Sequence, residues 1–281
     1  MYLRQNNNNQ ATFFEPKTEE EISIIKQGAE IVCNLIQKAK QSIELNISTQ
    51  DIEDIVKTEI KKYNCKSAFF GYRGYPATTC ISIDTELVHG IPSKSKKILP
   101  GQIVSIDIGI FFEGYCADAA TTVLITNKEN ANISNKLKID KLWNLLEVTY
   151  NSMIVASKIL KENIRVGDLS FEIQNYVETR GYSVIREYVG HTIGRQMHEK
   201  PDIPNFGKKC EGPRFYDGQV ICIEPMVSMG NYKTKVLSDG WTVVMEDNSY
   251  CAHFEHMILI KKDSYEILTK EEIIKPEKIY V

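Results

Sequence analysis

The chain has 281 residues, 42% of them hydrophobic and 25% charged, with a net charge of −3. That balance fits a soluble globular protein of one large domain or two small ones, and its slight acidity argues against a nucleic-acid scaffold. Seven scattered cysteines without a Cys-x-x-Cys pair fit free thiols in a reducing cytoplasm, and no apolar run approaches the roughly 18 residues of a membrane span.

The first 17 residues, with the run Asn6 to Asn9, lack the apolar core of a signal peptide and read as a flexible tail. Thr18-Glu-Glu-Glu21 is a capping box that opens a helix with Ile22, Ile25, Ala29, Val32 and Ile36 at helical spacing. Ser48 caps a second helix carrying Ile52, Ile55, Val56 and Ile60 on one face. A loop rich in glycine and aromatics follows (Phe69 to Pro76), then a strand over Thr79–Ile83, the segment Val88-His-Gly-Ile-Pro92 and a basic loop.

In Val104–Ile110, Val104, Ile106 and Ile108 alternate with Ser105, Asp107 and Gly109, the period of a half-buried strand. A turn around Phe112-Glu113-Gly114 folds Gly114–Ala120 back, which puts Asp118 opposite Asp107 with Cβ atoms about 5 Å apart. Two carboxylates that close repel unless one is protonated or a cation lies between them. After a polar stretch (Asn127–Asn135), Lys136–Lys161 reads as a long helix. Asp168 caps another that ends at Gly181. Strand-like runs cover Tyr182–Val189, Gln219–Val227, Trp241–Met245 and Tyr250–Ile260. Two helices then strands, twice over, imply an α+β fold of two similar halves, antiparallel sheet covered by helices, facing each other across a cleft.

Glu224 and Glu255 lie in strand-like runs otherwise largely apolar, and His191 and His198 in a glycine-bounded loop. A single strand carboxylate or a single histidine is usually unremarkable in function. Four carboxylates in apolar surroundings are costly unless paired or metal-bound. With a neutral imidazole they suit two divalent cations of the manganese, iron, cobalt or zinc kind.

From Thr18 to about Thr269 the chain resembles the type I methionine aminopeptidases, of the pita-bread fold. The resemblance is carried by Gly71-Tyr-Arg-Gly-Tyr-Pro76, Cys80-Ile-Ser-Ile83, His89-Gly-Ile-Pro92, Ser105-Ile-Asp-Ile-Gly109, Asp118, Gly190-His191 through Pro201, Ile223-Glu-Pro-Met-Val227, Asp239-Gly-Trp-Thr242 and Phe254-Glu-His256. The absence of a long insertion between His198 and Glu224 favours type I. The resemblance implies one catalytic domain over 18–281 and removal of the initiator methionine when the second residue is small. It implies Asp107, Asp118, His191, Glu224 and Glu255 as ligands of two divalent ions (cobalt, manganese, iron or zinc), with Asp118 and Glu255 bridging, and allows a monovalent cation nearby. Glu224 would carry a proton, His198 would stabilise the oxyanion and His89 would contact the scissile nitrogen. Phe69, Tyr72, Tyr75, Cys80, Met197 and Trp241 would line the methionine pocket. His256 is read as supporting or structural, and His253 as solvent-facing or at the pocket edge. A cytoplasmic monomer acting on nascent polypeptide N-termini, in transient contact with the ribosome and not with membranes, completes the expectation.

The chain departs from the family pattern at Thr192, where glycine is usual, at Met197, where phenylalanine is usual, and at Phe69 and Lys200. These changes are expected to reshape the pocket slightly without removing a ligand. Two rival readings are an Xaa-Pro peptidase, which usually carries an extra N-terminal domain, and an inactive relative serving as a binding module, which should have lost ligands.

Overall fold

In the computed structural model, which describes residues 2–5, 11–14, 16–127 and 133–281, helix α1 (Glu19–Gln41) begins at a reciprocal cap. Thr18 Oγ1 accepts from the Glu21 N–H at 3.2 Å, and Glu21 Oε2 accepts from the Thr18 N–H at 2.8 Å. Such a cap is worth about 1 kcal/mol. Helix α2 (Thr49–Lys62) repeats the device with Ser48 and Asp51. The expected stripes of both helices are buried except at Ile22 and Ile55, which are half-buried, and α1 lies across the long hairpin described next. Tyr2–Gln5 pairs antiparallel with Ala11–Phe14. The run Asn6 to Asn9, read as part of a flexible tail, lies outside the described residues.

The hairpin joins Ile103–Phe112 to Tyr115–Thr126 through the two-residue turn Glu113-Gly114, whose φ angles of 44° and 88° are both left-handed. This is the turn whose twist matches that of paired strands. The register corrects the expected one: Asp107 faces Ala120, and Asp118 faces Gly109. An Asp107–Asp118 pairing would need the turn centred between Phe112 and Glu113; the observed centre, between Glu113 and Gly114, lies one residue later and slides the pairing by two. The aspartates are therefore diagonal neighbours, still on one face. Cys80–Ile83 pairs along the other side of Ile103–Phe112 and brings Cys80 opposite Asp107.

Helix α3 (Ile133–Ser157) and helix α4 (Val166–Glu178) begin the second half and pack on each other. Asp168 does not precede α4 as expected; it is the third residue, and its Oδ2 accepts from the Arg165 N–H at 3.1 Å. A second sheet runs in the order Glu199–Ile203, Gly190–Thr192, Val220–Ile223, His256–Ile260, Tyr265–Ile267. Two of the long strand-like runs are broken. One stops at Ile223 before Glu224-Pro225, since proline has no N–H to donate. The other is interrupted at Phe254-Glu255. Both glutamates thus leave the regular ladder at the seam between sheets. One buried apolar cluster spans both halves, from Ile25 through Ile106 and Val123 to Ile173 and Ile258.

Candidate active site

Sheet register assembles the acidic group. Ala120 pairs with Asp107 inside the hairpin, and its carbonyl accepts from the Glu255 N–H at 2.9 Å. Asp107, Ala120 and Glu255 therefore form a row across three segments, with Asp118 two residues away on the same face. One carboxylate oxygen from each of Asp107, Asp118 and Glu255 lies within 4.8 Å of the others. A second group comes from the second sheet, where His191 pairs with Cys222. Donor atoms of His191, Cys222 and Glu255 meet the same 4.8 Å limit. Glu255 belongs to both groups. Glu224 completes the set, with Oε1 at 3.7 Å from His191 Nε2 and Oε2 at 3.4 Å from His253 Nε2.

The surroundings of these carboxylates disfavour their ionised forms. Burial first, then the neighbouring Asp118 and Glu224 charges, pushes the Asp107 carboxyl well above the usual carboxylate range. Glu255 is raised by the same burial and charges, with Asp107 adding to them, and Glu224 by burial and Asp118. Burial raises Asp118 to about 7. Asp107 Oδ1, Asp118 Oδ1 and Glu255 Oε1 are buried with no hydrogen-bond partner. Such oxygens need a proton or a cation. His191 is prepared to share one: its Nδ1 lies 3.2 Å from the Thr192 carbonyl, an acceptor only, so Nδ1 carries the proton and Nε2 offers its lone pair. Burial pushes the His191 pKa down to about 3, which keeps the ring neutral. Carboxylate oxygens plus one neutral imidazole are a donor set for divalent cations.

Above the acids opens a cavity of about 590 Å³. Phe69, Tyr72, Tyr75, Cys80 and Trp241 line it. Tyr75 meets Trp241 edge-on at 5.1 Å between ring centres. His89 packs edge-on against Tyr188 and Trp241, and His198 Nδ1 lies 3.0 Å from the Tyr72 hydroxyl. Met197 does not line the cavity. It is buried behind the wall, and a Cβ on Gly109 would come within 2.4 Å of Met197 Cε and 2.5 Å of Phe69 Cε1. Only glycine at 109 leaves room for that contact. Thr192 also points elsewhere: its Oγ1 donates to the Pro201 carbonyl at 3.2 Å and accepts from Gln219 Nε2 at 3.0 Å. The change from glycine thus ties strands together and leaves the pocket alone.

His253 takes the pocket edge, of the two places read for it. It lines the cavity but is buried, facing Glu224 rather than solvent. His256 is fully buried, with Nδ1 2.6 Å from Thr269 Oγ1, in a supporting place. Tyr188, Met226, Arg73, Glu187 and Asp202 also line the cavity and were not foreseen; Arg73 and Met226 had a signal, lying inside quoted motifs beside Tyr72 and Glu224-Pro225. Among the described residues no helix is long and apolar enough to cross a membrane.

Residues 23–262 match the sequence profile of metallopeptidase family M24. A methionine aminopeptidase of Mycoplasma capricolum is 43% identical over 91% of this chain and 98% of its own length. The crystal structure of a Thermotoga maritima methionine aminopeptidase superposes with a TM-score of 0.85 at 40% identity, covering 92% of this chain and 100% of that one. An X-Pro aminopeptidase from T. maritima shares the fold at a TM-score of 0.71 and 20% identity, and the match spans only 64% of its length. The chain therefore belongs to metallopeptidase family M24, among the methionine aminopeptidases.

Proposed function

We propose that this protein removes N-terminal methionine from peptides and nascent proteins whose second residue is small. The carrying observation is the convergence of Asp107, Asp118, His191, Glu224 and Glu255 on the floor of a cavity with aromatic walls. The walls offer an unbranched thioether the close apolar contact it favours. Asp107, Asp118, His191, Glu224 and Glu255 would hold two divalent ions, manganese, iron, cobalt or zinc, which supply Lewis-acid polarisation and lower the pKa of the attacking water.

Glu224 is the proton carrier. Burial raises the proton affinity of its carboxylate, and as a carboxylate it takes a proton from the attacking water as the C–O bond forms. It returns that proton to the leaving nitrogen as the C–N bond breaks. Its backbone carbonyl accepts from Asn205 Nδ2 at 2.9 Å, which fixes its place after the strand ends. His198, with Nδ1 engaged by Tyr72, presents Nε2 to the scissile carbonyl and donates to the developing oxyanion. His89 is pushed down to about 4 by burial and by His198, stays neutral near pH 7, and contacts the scissile nitrogen. Its substrates would be nascent chains in the cytoplasm, met at the ribosome by a monomeric enzyme.

The test is release of free methionine from methionyl-alanyl-serine by chelator-treated protein before and after manganese, iron, cobalt or zinc is restored. Cleavage should return with at least one ion. It should fall at least about 100-fold in Asp107→Ala and Glu224→Ala, the scale of a lost general acid/base. An Xaa-Pro peptide should stay intact. No methionine release with any of the four ions would falsify the proposal.

A further inference from the structure

We infer that Glu53, outside the cavity, sets the shape of the methionine pocket by holding the Thr78-Thr79 segment from behind; the inference rests on the function proposed above. Glu53 sits on the buried face of α2 and is only 4% exposed. Carboxylates at such depth are rare unless paired. No cation pairs with this one among the described residues, and three donors do. The Thr78 N–H reaches Oε1 at 2.7 Å, and the Thr79 N–H and hydroxyl reach Oε2 at 2.9 and 2.7 Å. Two backbone donors and a hydroxyl thus converge on one carboxylate and occupy both of its oxygens. An amide could not substitute, because its NH2 would face a backbone N–H.

The held segment is the root of the wall. The Thr79 carbonyl accepts from the Tyr75 hydroxyl at 3.0 Å, and the same hydroxyl lies 3.3 Å from the Gly90 carbonyl, next to His89. Tyr75 in turn meets Trp241 edge-on. Cys80, the residue after Thr79, lines the cavity and pairs with Asp107. Glu53 thus acts on Tyr75 and Cys80 directly through the backbone, and on Trp241 through Tyr75. It is a positioning residue. Docking of α2 does not depend on it, since Ile52, Val56 and Ile60 are buried in the core and Ser48 and Asp51 cap the helix. The carboxylate therefore acts chiefly on the wall.

The experiment compares the metal-loaded full chain with Glu53→Gln and with Val56→Ala, a core change on the same helix that does not touch the wall. Two readouts are taken: kcat and KM for methionyl- and leucyl-alanyl-serine, and calorimetric binding of free methionine and free leucine. In Glu53→Gln the preference for methionine over leucine should fall about tenfold, the scale on which apolar pockets discriminate. The loss should appear in KM, with metal content unchanged and kcat within about twofold. Val56→Ala should lower thermal stability and keep the parental preference. The inference is overturned if Glu53→Gln keeps that preference, or if Val56→Ala shifts it as much. A parent that releases no methionine yet binds it over leucine in a Glu53-dependent way would sink the proposed function and leave this inference standing. A parent that binds neither amino acid selectively overturns both.

Discussion

A carboxylate set among three others and an imidazole either keeps a proton or shares a cation, and Glu255 shows what sharing requires. It is the one side chain common to both donor groups, the Asp107–Asp118 pair in the first sheet and His191–Cys222 in the second. Asp118 belongs only to the first. Neutralising Glu255 as Glu255→Gln should therefore release both ions, whereas Asp107→Asn should release one and keep the other. Metal content measured after desalting checks this, and equal losses in the two variants would mean that Glu255 is not shared. These residues were legible in the sequence because charge in an apolar stretch is a local contradiction that needs a cause. Met197 and Thr192 were misplaced because nothing local says which side of a wall a side chain occupies. That is decided by Gly109 in one case and by Gln219 with Pro201 in the other, partners distant in sequence. For His253 the sequence left solvent and pocket edge both open, and Glu224, facing it across two strand ends, goes with the second.

Among the elements, the Ile103–Phe112 and Tyr115–Thr126 hairpin does most to place the acids, and its register is set at the tip. Glu113 is exposed and left-handed there, a conformation that costs an ordinary L-residue about 1 kcal/mol and that asparagine tolerates. Glu113→Asn would create the Asn-Gly pair preferred in this turn. It should stabilise the metal-loaded protein by up to about 1 kcal/mol in denaturant titration, without changing activity. A loss of stability would show that Glu113 makes an interaction worth more than the strain. Both helix caps of the first half were readable, one from Thr18 to Glu21 and the other from Ser48 alone, because the chemistry of a cap is local. The hairpin register was not, since moving the turn centre by one residue slides the pairing by two. Glu224 and Glu255 were likewise assigned to continuous strands. Pro225 did mark the first break, but the second at Phe254-Glu255 has no local marker and follows from the reach to Ala120.

At the scale of the whole molecule, one core supports two sheets with a buried acidic seam, and the stability of the fold should be coupled to what fills that seam. In the metal-free chain Asp107, Glu224 and Glu255 are raised well above the carboxylate range and Asp118 to about 7, burial being the first cause in each. An acid whose pKa is higher in the folded chain contributes stability that is complete below its unfolded pKa, and that is lost as pH rises through the folded value. Each such group costs about 1.4 kcal/mol per pH unit while it is protonated in the folded chain and ionised in the unfolded one. The imidazoles of His191, His253 and His256, pushed down to about 3 by burial, act in the opposite sense: their contribution is present above about pH 6.5 and lost as pH falls. Between about pH 4 and pH 6.5 the two effects oppose each other, and above that window only the acids act. The metal-free protein should therefore lose thermal stability as pH rises above about 6.5. Divalent cations displace the protons and bind the folded state alone, so the gap in Tm between loaded and stripped protein should widen over the same range. Paired melts with and without chelator from about pH 6.5 to pH 8.5 measure the gap. A stripped protein whose Tm stays flat across that range would mean that its acids are already ionised and hydrated. The carboxylate seam would then be wet in the absence of metal, and cation binding would add stability by an amount independent of pH.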